Sequence, residues 1–446
     1  MISGVEAAGA NDPTNTMTPQ KLILTLDRSI FVLLCALVFW LPYSKAAIEV
    51  CVILSLILWI VKRTVPAVWS PAAPTFGRKA LDALKALNPP FGFAGTAVWL
   101  FLGACVFSVL GSVYPERSWH GFVTKTLEWF VIFFLVADSC GTRRRLGILL
   151  AVFLVTSLAT ALDSLFQVFV SGRDIFFGNQ LVDGFRATAA FNHSNSLGAY
   201  WAGAVPVIFS LLMTKSKKLW HYGLFILICI LVLWSLLLTY SRGAWLATLA
   251  GMVVFAAISG KRGRVILIAG FVAVIVTGLA GNAALRKNSR VDAPMISTAI
   301  GWRANLWRDS WEMVRERPVF GHGINTFMPR YEEYVRTRPS RLSVGFQPTY
   351  AHNCYVQLTV ETGLAGLVLF LGIVFQLFMK AAKTVAAATR APSRHIIAGA
   401  AAGMAAFLMH SAVDTNFYSL QLSAFFWLMA GGLVSAIRLA DTQQTR

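Results

Sequence analysis

The chain has 446 residues, of which 57% are hydrophobic and only 13% charged, about half the charge of a soluble protein of this size. Its formal charge of +19 would suit a nucleic-acid partner. The basic residues, however, sit in short clusters between apolar runs, where they set topology and meet anionic headgroups, and no zinc-finger spacing, RNP motif or basic heptad is present. Soluble and nucleic-acid-binding classes are excluded, and the sequence reads as an all-α polytopic membrane protein.

Taken in chain order, twelve apolar segments are candidate spans: about 26–42, 46–61, 94–113, 121–138, 146–171, 191–213, 220–239, 244–259, 265–282, 352–379, 395–412 and 417–437. Leu41-Pro42-Tyr43-Ser44-Lys45 makes a tight turn in the first pair. The first run follows a segment with Glu6 and Asp12 and no clear small-residue cleavage site, so it reads as a retained signal-anchor. Three units follow: 1–282 with nine spans, a loop over 283–351, and 352–446 with three spans and a tail.

Orientation comes from Lys and Arg in the short connections. Lys62-Arg63, Arg78-Lys79, Arg143-Arg144-Arg145, Lys215/Lys217/Lys218, Lys261-Arg262/Arg264 and Lys380/Lys383/Arg390/Arg394 fall on every second connection. The positive-inside rule then puts these clusters and both termini in the cytoplasm, and the 283–351 loop outside, in the periplasm of a two-membrane cell. That loop carries ten Arg and one Lys against six acids.

The loop is expected to be ordered. Trp307, Trp311 and Val314 recur at i, i+4, i+7 in a helix over 301–316 that Pro318 ends. Asn325 is a candidate cap for a second helix with Phe327, Tyr331 and Tyr334 on one side, stopped by Pro339. Two such amphipathic helices would roof the bundle at the membrane interface. The six cysteines show no CxxC spacing and read as small buried hydrophobes.

Four basic residues sit at the outward mouths of spans. Arg186 precedes span six, Arg242 lies in the turn before span eight, Arg303 opens the loop helix and His352 starts span ten. Guanidinium groups suit a diphosphate because the planar fork donates two hydrogen bonds and stays charged. They stabilise a leaving diphosphate most as its bond to sugar breaks. A neutral imidazole at His352 can accept a proton from a sugar hydroxyl. Asn192, His193 and Asn195 form a polar patch that can bind sugar hydroxyls or cap a helix, with Asn353 beside the histidine as a further contact. His410 and Asp414 stand four apart and read as a structural pair, and Glu361 reads as a buried structural carboxylate. No P-loop, outward DxD pair or metal-ligand spacing occurs, so neither a nucleotide cofactor nor a metal is expected.

His352-Asn353, nine residues, then Gly363-x-x-Gly366 resembles the His-Asn-x9-Gly-x-x-Gly signature of O-antigen ligases, which share a superfamily with O-antigen polymerases and protein O-oligosaccharyltransferases. Arg303-Ala304-Asn305-Leu306-Trp307, Pro318 to Gly323, and Phe185-Arg186 leading to Phe191-Asn192-x-x-Asn195 are similar to the same superfamily. The resemblance implies transfer of a glycan from undecaprenyl diphosphate to the lipid A-core at the periplasmic face of the bacterial inner membrane. It implies His352 as the essential histidine and Arg242 and Arg303 as essential arginines; Arg186 is added from its position and from phosphate chemistry. The short 172–190 connection favours a ligase over a polymerase. A transporter would show related halves and helices broken at mid-membrane; no matching halves are seen, and the polar residues cluster at one face instead of the midplane.

Overall fold

The computed structural model describes residues 18–69, 76–213, 219–259, 295–337, 350–387 and 393–444. Among them the chain is helical, with two isolated β-bridges, Arg173 to Gln180 and Val182 to Arg186, in place of strands. The helices are α1 (Pro19–Trp40), α2 (Lys45–Val68), α3 (Phe76–Ala86), α4 (Gly95–Leu110), α5 (Pro115–Gly121), α6 (Leu127–Ser139), α7 (Arg143–Phe166), α8 (Ser194–Leu212), α9 (Leu219–Leu238) and α10 (Arg242–Ser259). After these come α11 (Met295–Glu316), α12 (Phe327–Thr337), α13 (Cys354–Ala387), α14 (Ser393–His410) and α15 (Leu420–Gln444). A π turn over Phe122–Thr126 joins α5 and α6 into one span, and another over Gln167–Ser171 extends α7.

Eight helices among the described residues are long and apolar enough to cross a membrane: α1, α4, α5–α6, α7, α8, α10, α13 and α15. The chain is a polytopic, multi-pass membrane protein. The expected spans at 46–61, 220–239 and 395–412 are helical as α2, α9 and α14 but do not count among the eight, and 265–282 lies outside the described residues. The fourth span starts at Pro115 instead of 121, because proline at the first helical position loses no hydrogen bond there.

Capping explains several starts. Thr18 Oγ1 accepts from Lys21 N at 3.3 Å, Ser44 Oγ from Ala47 N at 3.2 Å and Thr142 Oγ1 from Arg145 N at 3.3 Å. The α8 and α15 helices are the most enclosed, with 83% and 89% of their apolar windows buried. Small residues let backbones touch where α8, α10 and α14 cross. A Cβ on Gly403 would come within 2.4 Å of Gly203 O, and one on Gly251 within 2.6 Å of Ala406 Cβ.

The two ends of the bundle differ. Where α1 and α7 begin and α2 and α6 end, Lys62 Nζ pairs with Asp27 at 2.6 Å and Asp138 at 3.3 Å, Arg63 with Asp138 at 3.1 Å and Arg145 with Asp27 at 2.5 Å. The turn between α1 and α2 lies at the other end, together with the α7–α8 connection and the start of α13.

The loop helices form a small core of their own. Leu306, Met313 and Val314 of α11 meet Phe327, Tyr331 and Tyr334 of α12, and Ala351 and Val360. The α12 face is the expected one. The α11 face is rotated: Trp311 is 48% exposed and the stripe runs through Leu306 and Met313. Trp307 is tied instead through its indole nitrogen to Ala351 O at 2.9 Å. Asn325 is not the expected cap. It holds a left-handed backbone (φ 60) and its Oδ1 accepts from Lys125 Nζ at 2.8 Å. Pro339 lies outside the described residues.

Candidate active site

His352 lies between Ala351 and the start of α13, with a left-handed backbone (φ 48). A non-glycine residue there costs roughly 1–3 kcal/mol and persists only where its surroundings enforce it. Three hydrogen bonds do so. Ala351 O accepts from Trp307 Nε1 at 2.9 Å, Ala351 N donates to Gln357 Oε1 at 3.0 Å, and Cys354 N donates to Ser411 O at 2.8 Å. Asn353 Oδ1 then caps α13, accepting from Tyr355 N at 2.9 Å and Val356 N at 3.1 Å. Its position beside the histidine thus has a structural account.

The imidazole is held on two sides. The Trp302 ring meets it edge-on at 5.1 Å between centroids, and Nδ1 lies 3.5 Å from Asp414 Oδ1. The expected pairing of His410 with Asp414 is present as well: Asp414 N donates to His410 O at 3.1 Å, and the His410 ring faces the carboxylate. The α14 helix ends at His410, whose Nδ1 contacts Asn416 Oδ1 at 3.1 Å, and the Asp414 carboxylate lies between His410 and His352. Burial pushes the Asp414 carboxyl up, but the contact with His352, the facing His410 and the Thr415 amide outweigh it and hold it at about 2. An ionised carboxylate at Nδ1 favours the proton there and leaves Nε2 as the basic nitrogen.

A cavity of about 640 Å³ opens beside this pair. His352, Asp414, Tyr350, Asn416, Arg186, Asn192, Asn195 and Lys45 are among its lining residues. Arg186 is well engaged: Nε donates to Thr239 O at 3.0 Å, Nη2 to Asn195 Oδ1 at 2.9 Å, and Nη1 lies 3.6 Å from Asp183. Asn195 is therefore a partner of Arg186, while Asn192 is exposed to the cavity. Arg303 and Arg242 do not line it. The Arg303 guanidinium lies 5.5 Å from the Trp302 ring that abuts His352. Arg242 is exposed, and its neighbour Gly243 packs so closely that a Cβ there would lie 2.9 Å from Val413 and 3.6 Å from His410 Nε2. The structure thus gathers His352, Arg186, Asn192 and Asn195 around one space, and Arg303 and Arg242 are not among its lining residues.

Gly363 has a structural reason to be glycine. Its φ of 70 breaks α13, freeing two carbonyls and two amides. His322 N donates to Val360 O at 2.9 Å, Gly323 N to Glu361 O at 2.9 Å, Leu364 N to Pro318 O at 2.8 Å and Ala365 N to Val319 O at 3.2 Å. A Cβ at Gly363 would lie 2.0 Å from Val319 O. Glu361 is buried beside this joint, accepting from Tyr418 Oη at 3.0 Å and Gln357 Nε2 at 3.3 Å. It fastens the loop and the Tyr418 turn to α13, both of which lead to the His352 pocket. Among the described residues no group of three His, Cys, Asp or Glu is placed to hold a metal ion.

Fold and site together define a multi-pass membrane protein with a carboxylate-paired histidine in a polar cavity at one end of its helix bundle. Residues 227–371, which include Arg242, Arg303, His352 and Gly363, match the family model described as O-antigen ligase. That stretch, about a third of the chain, is similar to the O-antigen ligase family. No curated protein matches the chain.

Proposed function

We propose that the protein is an O-antigen ligase, a metal-independent inverting glycosyltransferase. It moves O-antigen glycan from undecaprenyl diphosphate to the lipid A-core at the periplasmic face of the bacterial inner membrane. The observation that carries the reading is His352 beside the ionised Asp414 at the edge of the cavity. Nε2 takes the proton of an acceptor hydroxyl, and the oxygen attacks the anomeric carbon from the side away from the diphosphate. The carbon–oxygen bond to the diphosphate breaks, and undecaprenyl diphosphate leaves with the electron pair. One displacement inverts the anomeric configuration. Arg186, Arg242 and Arg303 supply positive charge for the diphosphate, and Asn192 contacts sugar hydroxyls.

The basic clusters on alternate connections support cytoplasmic termini and a periplasmic His352 face. The deciding experiment is made in cells that lack the chromosomal copy. Loss of the lipopolysaccharide ladder with accumulation of lipid-linked polymer, reversed by the plasmid-borne protein, is the expected result. A band of core carrying one repeat unit would instead mean a polymerase, and an unaltered ladder would point to an acceptor other than lipid A-core, as in a protein O-oligosaccharyltransferase.

A further inference from the structure

The same cavity has a second polar wall that the arginines do not account for. It is built from the start of α8 and from Lys45. The α8 helix has 19 residues, and its N-cap residue, His193, is extended and provides no capping hydrogen bond. The amides of Ser194 and Asn195 find no acceptor among the described residues. Ser194 is only 2% exposed, lines the cavity, and its Oγ has no hydrogen-bond partner. That hydroxyl is available to bond to an occupant of the cavity.

Lys45 contributes the charge. It begins α2 on a turn that is firmly held: Gln421 Nε2 donates to Pro42 O at 2.7 Å, and Tyr43 Oη lies 3.2 Å from Thr160 Oγ1. The Lys45 ammonium itself makes no hydrogen bond or ion pair among the described residues. Arg186, in the same cavity, is committed to Thr239, Asn195 and Asp183. An uncapped helix start carries about half a positive charge and presents its amides outward. An unpartnered hydroxyl and an ammonium lining the same cavity add the donors that a phosphoryl group requires.

We propose that the N-terminus of α8, Ser194 and Lys45 together form a binding site for the phosphoryl groups of a lipid-linked substrate. The identity of that substrate rests on the ligase reading above. Two sources share this chemistry, the diphosphate of the donor and the phosphates of a phosphorylated core acceptor.

The test uses the full chain in nanodiscs, with direct binding of undecaprenyl diphosphate in one arm. The other arm compares phosphorylated with enzymatically dephosphorylated lipid A-core. Lys45→Met should weaken binding about tenfold or more, Lys45→Arg should retain most of it, and Ser194→Ala should weaken it severalfold. Lys45 is exposed and Ser194→Ala removes only a hydroxyl, so all three variants should fold as the parent does. A loss confined to undecaprenyl diphosphate assigns the site to the donor. A loss confined to phosphorylated acceptor, absent with the dephosphorylated form, assigns it to the acceptor. Unchanged affinity for both lipids in Lys45→Met and Ser194→Ala overturns the site. His352→Ala, run in parallel, should bind normally and fail in transfer; if it still transfers, the ligase mechanism falls while the binding result stands on its own.

Discussion

His352 Nδ1 lies 3.5 Å from Asp414 Oδ1, bringing together residues that start one helix and follow another 62 positions apart. A carboxylate on that side favours the proton on Nδ1. Asp414→Asn keeps the shape and removes the charge, so turnover should fall about 100-fold, within the ~10²–10⁴ that a general base supplies, while donor KM changes little. A variant that turns over like the parent would show that the carboxylate is dispensable.

The same carboxylate makes a prediction about acid. Its folded-state value of about 2 is below the ordinary 3.8, so its stabilising contribution is full above the ordinary value and lost as pH falls through about 2. Melting curves of parent and Asp414→Asn should differ at pH 5 and converge as pH drops from 4 toward 2. A gap that stays constant down to pH 2 would contradict the pairing. Any loss of activity between pH 8 and 5 belongs to another group, since Asp414 stays ionised there.

Gly363 is expected to be intolerant for a reason separate from chemistry. Alanine there meets Val319 O and must hold a left-handed backbone, which costs about 3 kcal/mol. The Gly363→Ala protein should lose activity together with protection of residues 295–337 from proteolysis. Activity lost with the loop still protected would mean that the glycine acts in the site itself.

Lysine replacements separate the arginines. Arg186 uses two different edges of its fork, toward Thr239 O and Asn195 Oδ1, and a lysine can satisfy only one. Arg186→Lys should therefore lower both transfer and stability. Arg242→Lys and Arg303→Lys should lower transfer, by about 10- to 150-fold if each guanidinium holds phosphate, and leave melting unchanged. Arg336, exposed near the end of α12, should tolerate lysine. Transfer rates measured at saturating acceptor and matched protein level test the set; equal behaviour of all four would remove phosphate binding from the arginines.

Much of the fold was legible in the sequence because apolar runs of membrane length are a strong, local signal. The α12 face through Phe327, Tyr331 and Tyr334 was legible because aromatic residues recur on one side of a helical period. The α11 face was not, because tryptophans satisfy both a core and an exposed surface, and Leu306 with Met313 gave a competing stripe. His352 was legible from its setting and its motif, Asp414 as its partner was not. A contact between elements 62 residues apart leaves no periodic trace, whereas the i, i+4 spacing to His410 is visible in the sequence. Lys45 and Ser194 were missed because each looked like a helix boundary, and only the cavity brings them together.

In the proposed mechanism His352 is the base. The most direct measurement is transfer by purified His352→Ala in nanodiscs, with undecaprenyl-diphosphate-linked glycan and lipid A-core, alongside donor binding by the same preparation. The account predicts a loss of about 10²–10⁴-fold in rate with donor affinity preserved. A near-parental rate would contradict it.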